Sequence, residues 1–334
     1  MRRKGGSREV KPTMRDVAIH ANVSVATVSH VINNTRFVSP ETRAQVMDSI
    51  AKLGYTPDIA ARSFKTGRRN LIAFIVPDIA NPFFATLIEE AESVLNRAGY
   101  RLLVVNTKEN PERELDSLRA LSSGVVDGFL LASTLDSYAP IENALSGKEP
   151  VVFVDRRVNG CPLDTVIVAS YQALHQGVTH LIECGHRRIG FITGLPRIST
   201  TVERLQAYRD AMTQHGLMDE GLIRVGDSMS HCVKANLFSL IDAQCTALVI
   251  PNNLMATEAM TLLLDAGISP GKDIDLLGFR DSDQAQYGLH QMHLIVQPTA
   301  ELGRAAAGCM LKRLKTPDTP CQEEILKASF CPHE

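Results

Sequence analysis

The stretch NVSVATVSHVINN, residues 22 to 34, concentrates short hydrogen-bonding side chains. Ser24, Thr27 and Ser29 bring hydroxyls, Asn33 an amide, and His30 the one longer polar group. A low, hydroxyl-studded face suits close approach to a nucleic-acid groove, where hydroxyls bond phosphates and a few longer groups reach base edges. Groups arranged for bond-making chemistry are harder to find. No G-x-G-x-x-G loop follows a strand pattern, and neither a Walker loop nor a G-x-S-x-G elbow is present. His290 and His293 form a pair with no obvious third ligand, and read as surface residues; Cys184 and His186 fall in a turn ahead of a strand. The seven cysteines include no Cys-x-x-Cys, which fits reduced thiols better than a zinc site or a disulfide framework. No enzyme activity, cofactor or metal is therefore expected.

The charges are unevenly placed. The first 70 residues carry 13 Lys and Arg against 5 Asp and Glu, while the remaining 264 carry 22 against 32. A basic head on an acidic body is the electrostatic footprint of a nucleic-acid-binding domain joined to one that binds something else. With 334 residues, 44% hydrophobic and 22% charged, the chain is long enough for two or three domains. No apolar run reaches the roughly 18 residues of a membrane span, and MRRKGGSREV leads into no signal-peptide core, so a cytoplasmic protein away from the membrane is expected.

Three short helices must position the polar stretch. Thr13 caps the first, over 13 to 20, with Asp16 in its opening turn and Val17, Ala18 and Ala21 on its apolar face. Ser24 caps the second, in which Val25, Val28 and Ile32 recur at helical spacing. Ser39 and Pro40 open the third, with Val46, Ile50 and Leu53 facing inward. A short turn between the first two makes this a helix-turn-helix plan, whose second helix enters the major groove.

Beyond residue 70 the pattern changes to apolar runs alternating with helical segments: LIAFIVPDI, helix 84 to 97, RLLVVNT, helix 111 to 122, GFLLA, helix 138 to 146, VVFVD, and then RIGFITG through ALVIP to LLGF. Such alternation predicts an α/β body of parallel sheets in two lobes, with ligand bound outside the carboxyl ends of the strands.

The head sequence TMRDVAIHANVSVATVSHVINNTRFVSPETRAQVMDSIAKLGYTPDIAARSFKTGRRN resembles the head and hinge of the lactose-repressor/galactose-repressor (LacI/GalR) family. The likeness continues through IVPDIANPFF, GYRLLVVNT, VDGFLLA, VVFVDR, GHRRIGFITG, ERLQAYRDAM and DIDLLGF. It implies a helix-turn-helix domain over 1–56, a hinge over 57–69, and a two-lobed periplasmic-binding-protein-like core. The lobes span 70–168 with 298–328, and 169–297, with crossovers near 168 and 297. It implies a homodimeric regulator, a repressor of a carbohydrate or sugar-acid operon, that binds pseudo-palindromic double-stranded DNA under control of a small effector. Regulation of purine, nucleoside or ribose metabolism is the alternative. The chain end shows no leucine heptads and so gives no support for a tetramer.

Carried over position by position, the resemblance implies that Val25, Ala26 and His30 face base edges, while Thr13, Ser24, Thr27, Ser29 and Asn33 position the backbone. Many family members have arginine where this chain has His30; the histidine is shared with the purine- and ribose-repressor branch. In the hinge, Ala60 and Ala61 allow close helix pairing, Phe64 stands where the family wedges a leucine into the minor groove, and Lys65 adds charge. Phe83, Phe84, Asp155, Arg156, Thr200, Arg204, Asn252 and Arg280 match effector positions, with Phe83 and Phe84 expected at the end of the first strand. Arg280 replaces a common aspartate, Ala169 and Ser170 replace a frequent Asp-Asn, and Ser228 replaces an aromatic of the purine branch. An arginine donates only, so Arg280 suggests an anionic effector such as a sugar acid or sugar phosphate.

Overall fold

The computed structural model describes residues 12–33, 36–56, 69–226, 233–281 and 291–333, and the chain divides into two compact units, Met1–Arg69 and Asn70–Glu334. Ala60, Ala61, Phe64, Lys65, Ser228 and His290 lie outside the described residues, as does the side chain of Asn33.

The first unit contains α1 (Met14–His20), α2 (Val25–Asn33) and α3 (Pro40–Leu53). Thr13 and Asp16 form a reciprocal cap: the Asp16 N–H donates to Thr13 Oγ1 at 3.3 Å and the Thr13 N–H to Asp16 Oδ2 at 2.8 Å. Ser24 Oγ accepts the Thr27 N–H at 3.0 Å, and Ser39 Oγ accepts the Thr42 N–H at 3.3 Å. Gly54 ends α3 at φ +61°, a left-handed position that glycine occupies without steric cost. Val17, Ala18, Ala21, Val28, Val31, Val46 and Tyr55 make the core. Val25, which shares helical spacing with Val28 and Ile32 but is expected at a base edge, stays outside this core. It is 44% exposed, because α2 packs through Val28 and Val31, which leaves its first turn outside the three-helix contact. On α3, Ile50 and Leu53 are half-buried, and Ser49 is buried between its bonds to the Gln45 carbonyl (2.8 Å) and His20 Nδ1 (2.9 Å).

The second unit holds two six-stranded sheets. The first is built from β1 (Leu71–Val76), β2 (Arg101–Asn106), β3 (Gly128–Leu131), β4 (Val151–Val154), β5 (Asp164–Ala169) and β11 (Glu323–Lys327), in the order β11-β5-β4-β3-β1-β2. The second has β6 (Ile189–Thr193), β7 (Ile223–Val225), β8 (Ala247–Ile250), β9 (Asp275–Asp281), β10 (His293–Gln297) and β12 (Ser329–Cys331), in the order β12-β10-β9-β8-β6-β7. Among these strands only β12 pairs antiparallel, along β10. Ile72 to Val76 are all buried, as strands covered by helices on both faces require.

The connecting helices are α4 (Pro82–Arg97), α5 (Pro111–Leu121), α6 (Tyr138–Ala144), α7 (Tyr171–Glu183), α8 (Ser199–Gln214), α9 (Val233–Asp242), α10 (Asn253–Asp265) and α11 (Thr299–Lys315). α4 starts two residues before the expected Phe84, because Asn81 Oδ1 accepts the Phe83 N–H (3.0 Å) and Pro82 occupies the first position. Phe83 and Phe84 therefore belong to a helix, not to the end of β1. α11 runs so close to α4 that a Cβ on Gly303 would lie 2.7 Å from the Leu87 carbonyl oxygen. The chain passes between the sheets after β5, after β10, and a third time at Ala328 between β11 and β12, where the Ala328 N–H donates to the Ala169 carbonyl at 3.0 Å. The third passage has no counterpart in the sequence reading. Among the described residues no helix is long and apolar enough to cross a membrane.

Candidate functional site

The head presents the opening turn of α2. Ser24, Val25 and Ala26 are exposed, and Thr27, Ser29 and His30 are half-buried. Val25 lies four residues from Ser29, and Ala26 four from His30, so these residues share one strip of helix surface. The amino end of a helix also offers unpaired N–H groups and a positive dipole end, both suited to phosphate. Thr13 is exposed, but its hydroxyl donates to Asp16 at 2.7 Å and so secures the start of α1.

In the second unit a cleft opens at the carboxyl ends of both sheets. Phe83, Phe84, Asp155, Arg156, Thr200, Arg204 and Asn252 all line it. Arg280 is not among the lining residues; side chains alternate along a strand, and its neighbour Phe279 is the one that faces the cleft. The Arg280 Nε is buried without a hydrogen-bond partner among the described residues. Outside the lining, Arg280 offers no positive charge to an anionic effector in the cleft.

The floor of the cleft is a buried ionic arrangement. Arg156 donates to both oxygens of Glu109, at 2.7 and 3.0 Å, and to the Ser133 carbonyl at 3.1 Å. Its Nε has no hydrogen-bond partner among the described residues and lies 3.7 Å from Asp155 Oδ2. Burial opposes the charge on Arg156, yet Glu109 outweighs it and holds the guanidinium more firmly protonated than usual. Asp155 sits at φ +69°, and burial pushes its carboxyl above the usual range despite the pull of Arg156 and Arg204. Beneath, fully buried Glu114 accepts from Ser133 Oγ (2.5 Å) and from the Thr134 N–H and Oγ1 (both 2.6 Å). Burial also pushes the Glu114 carboxyl up, against those donors.

On the other wall, Arg204 donates to the Pro251 carbonyl at 2.6 Å and to Gln297 Oε1 at 3.0 Å, with its guanidinium 4.0 Å above the Phe279 ring. Asn252 Oδ1 accepts the Met255 N–H and so caps α10. The walls meet where Asn253 Nδ2 donates to Asn81 Oδ1 at 2.9 Å. Sequence reasoning missed Asp78, Asn81, Glu109, Asn253 and Gln297, which also line the cleft. Their common signal is position: each follows the carboxyl end of a strand or closes it. His186, by contrast, spends both ring nitrogens on structure, meeting Thr246 Oγ1 at 2.9 Å and Asp275 Oδ2 at 2.8 Å.

Comparison with known proteins gives this arrangement a family. Residues 13–58 match the model of bacterial regulatory proteins of the lacI family, and residues 69–328 match periplasmic binding proteins and the sugar binding domain of the LacI family. Among curated relatives, the transcriptional repressor PurR of Photobacterium profundum is 33% identical over 91% of this chain and 92% of its own. The ribose operon repressor of Haemophilus influenzae is 32% identical over 94% and 96%. The regulator DegA of Bacillus subtilis is 30% identical over 88% and 89%. Among solved structures, the regulator CelR in complex with cellobiose is 29% identical, with a TM-score of 0.72 over 97% of this chain and 99% of that one. The lac repressor dimer bound to operator and an anti-inducer shares the fold, with a TM-score of 0.83, 24% identity and coverage of 96% and 98%. A chain that joins a helix-turn-helix head, with the opening turn of its second helix exposed, to a two-sheet cleft thus belongs to the LacI family of DNA-binding transcriptional regulators.

Proposed function

We propose that the chain is a homodimeric repressor that reads a pseudo-palindromic operator with α2 and takes an uncharged, polyhydroxylated effector in the cleft, a sugar before a sugar acid. The observation that carries the effector class is the Asp155–Arg156 corner. Among the described residues no hydrogen-bond donor reaches the Asp155 carboxylate, and the Arg156 Nε next to it is unbonded. An acceptor and a donor 3.7 Å apart suit adjacent hydroxyls, which donate and accept at once. Three of the four terminal N–H groups of Arg156 are engaged by Glu109 and Ser133, and the lining as a whole has three carboxylates, Asp78, Glu109 and Asp155, against two guanidiniums. A carboxylate or phosphate ligand would meet net negative charge there.

The base-reading strip supports operator binding by Val25, Ala26 and His30, with Ser24, Thr27 and Ser29 at the backbone. The hinge assignment, 57–69, belongs to the same proposal, as does the division of the core at 168 and 297. Transcription-regulator relatives support a role without turnover. Affinity for operator DNA is expected to fall steeply with salt as condensed counterions are released.

A thermal-shift screen of neutral sugars, sugar acids, sugar phosphates and purines tests the effector class, since a ligand that binds only the folded state raises the melting temperature. A neutral sugar that raises it, with the shift abolished in Asp155→Asn, supports the reading. A shift confined to anionic compounds or to purines overturns it.

A further inference from the structure

The strand orders place the passages between sheets at one end of the cleft. β5 and β11 of the first sheet, and β10 and β12 of the second, carry them, whereas β1–β2 and β6–β7 lie at the opposite end of each sheet. A small rotation about the passages therefore moves the walls furthest apart at that opposite end.

Arg197 stands there. It follows β6 and reaches across to the loops after β2 and β3, where its Nε donates to the Thr134 carbonyl at 3.1 Å and its Nη2 to the Glu109 carbonyl at 3.3 Å. Its side chain is exposed and contributes nothing to a core, so these two bonds are its structural content. Both carbonyls belong to rigidly held residues. The Glu109 carboxylate grips Arg156, the Thr134 N–H and hydroxyl are held by buried Glu114, and Ser133 joins the two arrangements by accepting from Arg156 and donating to Glu114. The Glu109 loop is also strained: Lys108 and Glu109 lie at φ +54° and +53°, left-handed positions that non-glycine residues hold only when their surroundings impose them.

The geometry points to Arg197 as a latch that holds the two walls of the cleft together, anchored on the same buried network that forms the cleft floor. The inference deepens the reading of the cleft as an effector site, because an effector touching Asp155 or Arg156 would act on the anchor of the latch. Arg157 also ties the walls, its N–H donating to Ser199 Oγ at 2.8 Å, so loss of Arg197 loosens them without freeing them, and the loosening reaches the Asn81–Asn253 contact that Arg197 does not touch.

Hydrogen exchange followed by mass spectrometry on the full chain, without ligand or DNA, tests this independently of what the effector is. In Arg197→Ala, exchange is expected to quicken about tenfold at residues 81–85 and 252–256, the scale of losing one or two hydrogen bonds from a charged donor. Arg197→Lys, which keeps one donor centre, should fall between that variant and the parent. Faster exchange confined to residues 107–110, 133–136 and 195–199, or no change at all, would overturn the latch, since a merely local tether moves only the loops it touches.

Discussion

Arg156 offers both terminal nitrogens to Glu109, at 2.7 and 3.0 Å, with both side chains less than one-tenth exposed. Two charges taken out of water repay their desolvation only while both are present. Glu109→Ala leaves a buried guanidinium unpaired and should destabilise the core by about 3–5 kcal/mol. Glu109→Gln keeps an acceptor oxygen and should cost clearly less. Urea denaturation read at the midpoint checks both. Equal and negligible shifts would mean that the pair is not a buried unit.

Asp155 should trade stability for binding. Its folded-state pKa is raised, first by burial, so ionisation is harder in the native state than in the unfolded chain. The sign follows: stability is fully present below the ordinary carboxylate pKa and is lost as pH rises through the raised one. Asn tolerates the left-handed φ of +69° at this position, so Asp155→Asn removes the charge without altering the backbone demand. The variant is expected to melt higher than the parent at neutral pH and to converge with it near pH 4, while losing effector binding. Calorimetry across that range tests the claim; a variant that melts lower at pH 7 would contradict it.

The sequence announces the elements that local chemistry determines. Thr13, Ser24 and Ser39 cap where their hydroxyls precede helical spacing, and the runs at 71–76 and 151–154 are unbroken because both sheet faces are covered. It conveys less where a side chain's role depends on a distant partner. Val25 shares the spacing of a core residue but stays exposed, since α2 turns its Val28–Val31 face inward. The resemblance implies an effector contact for Arg280, yet the alternation of β9 gives the cleft Phe279 instead. Glu109 and Arg156 are 47 residues apart, and nothing in either segment encodes their pairing. His293, expected at the surface, is buried, because β12 returns to pair with β10 and covers it.

His30 lies four residues beyond Ala26 on the strip that α2 presents, half-buried in the isolated chain. An imidazole gives one bond per ring nitrogen, while an arginine fork gives two to guanine, and a good bidentate contact is worth about 1–3 kcal/mol of base discrimination. His30→Arg should shift the preferred half-site towards guanine at one position and leave the thermal shift by effector unchanged. Selection of binding sites from a random pool reads the first, and an unaltered selected motif would show that this residue reads no base.

The edge strand β12 should loosen as pH falls. His293 Nδ1 accepts the His333 N–H at 3.1 Å, a bond that needs the unprotonated nitrogen. The ring faces His180 of α7 at 4.9 Å between centroids, Phe330 at 5.4 Å from His180 and 6.4 Å from His293, and His333 at 6.4 Å. Asp275 of β9 stands 3.8 Å from Nε2 and also binds His186, while Cys184 lies 3.5 Å from His180. Burial lowers the His293 pKa below 6.5, helped by the neighbouring histidines and opposed by Asp275. A base with a lowered folded pKa stabilises fully above its unfolded value and loses that contribution as pH drops towards the folded one. Protection at residues 329–333, read as exchange relative to the intrinsic rate at each pH, should therefore fall as pH drops below about 6.5, the ordinary histidine value. His293→Asn supplies an amide oxygen as a permanent acceptor and should flatten that dependence. An equally steep profile in the variant would place the pH sensitivity elsewhere.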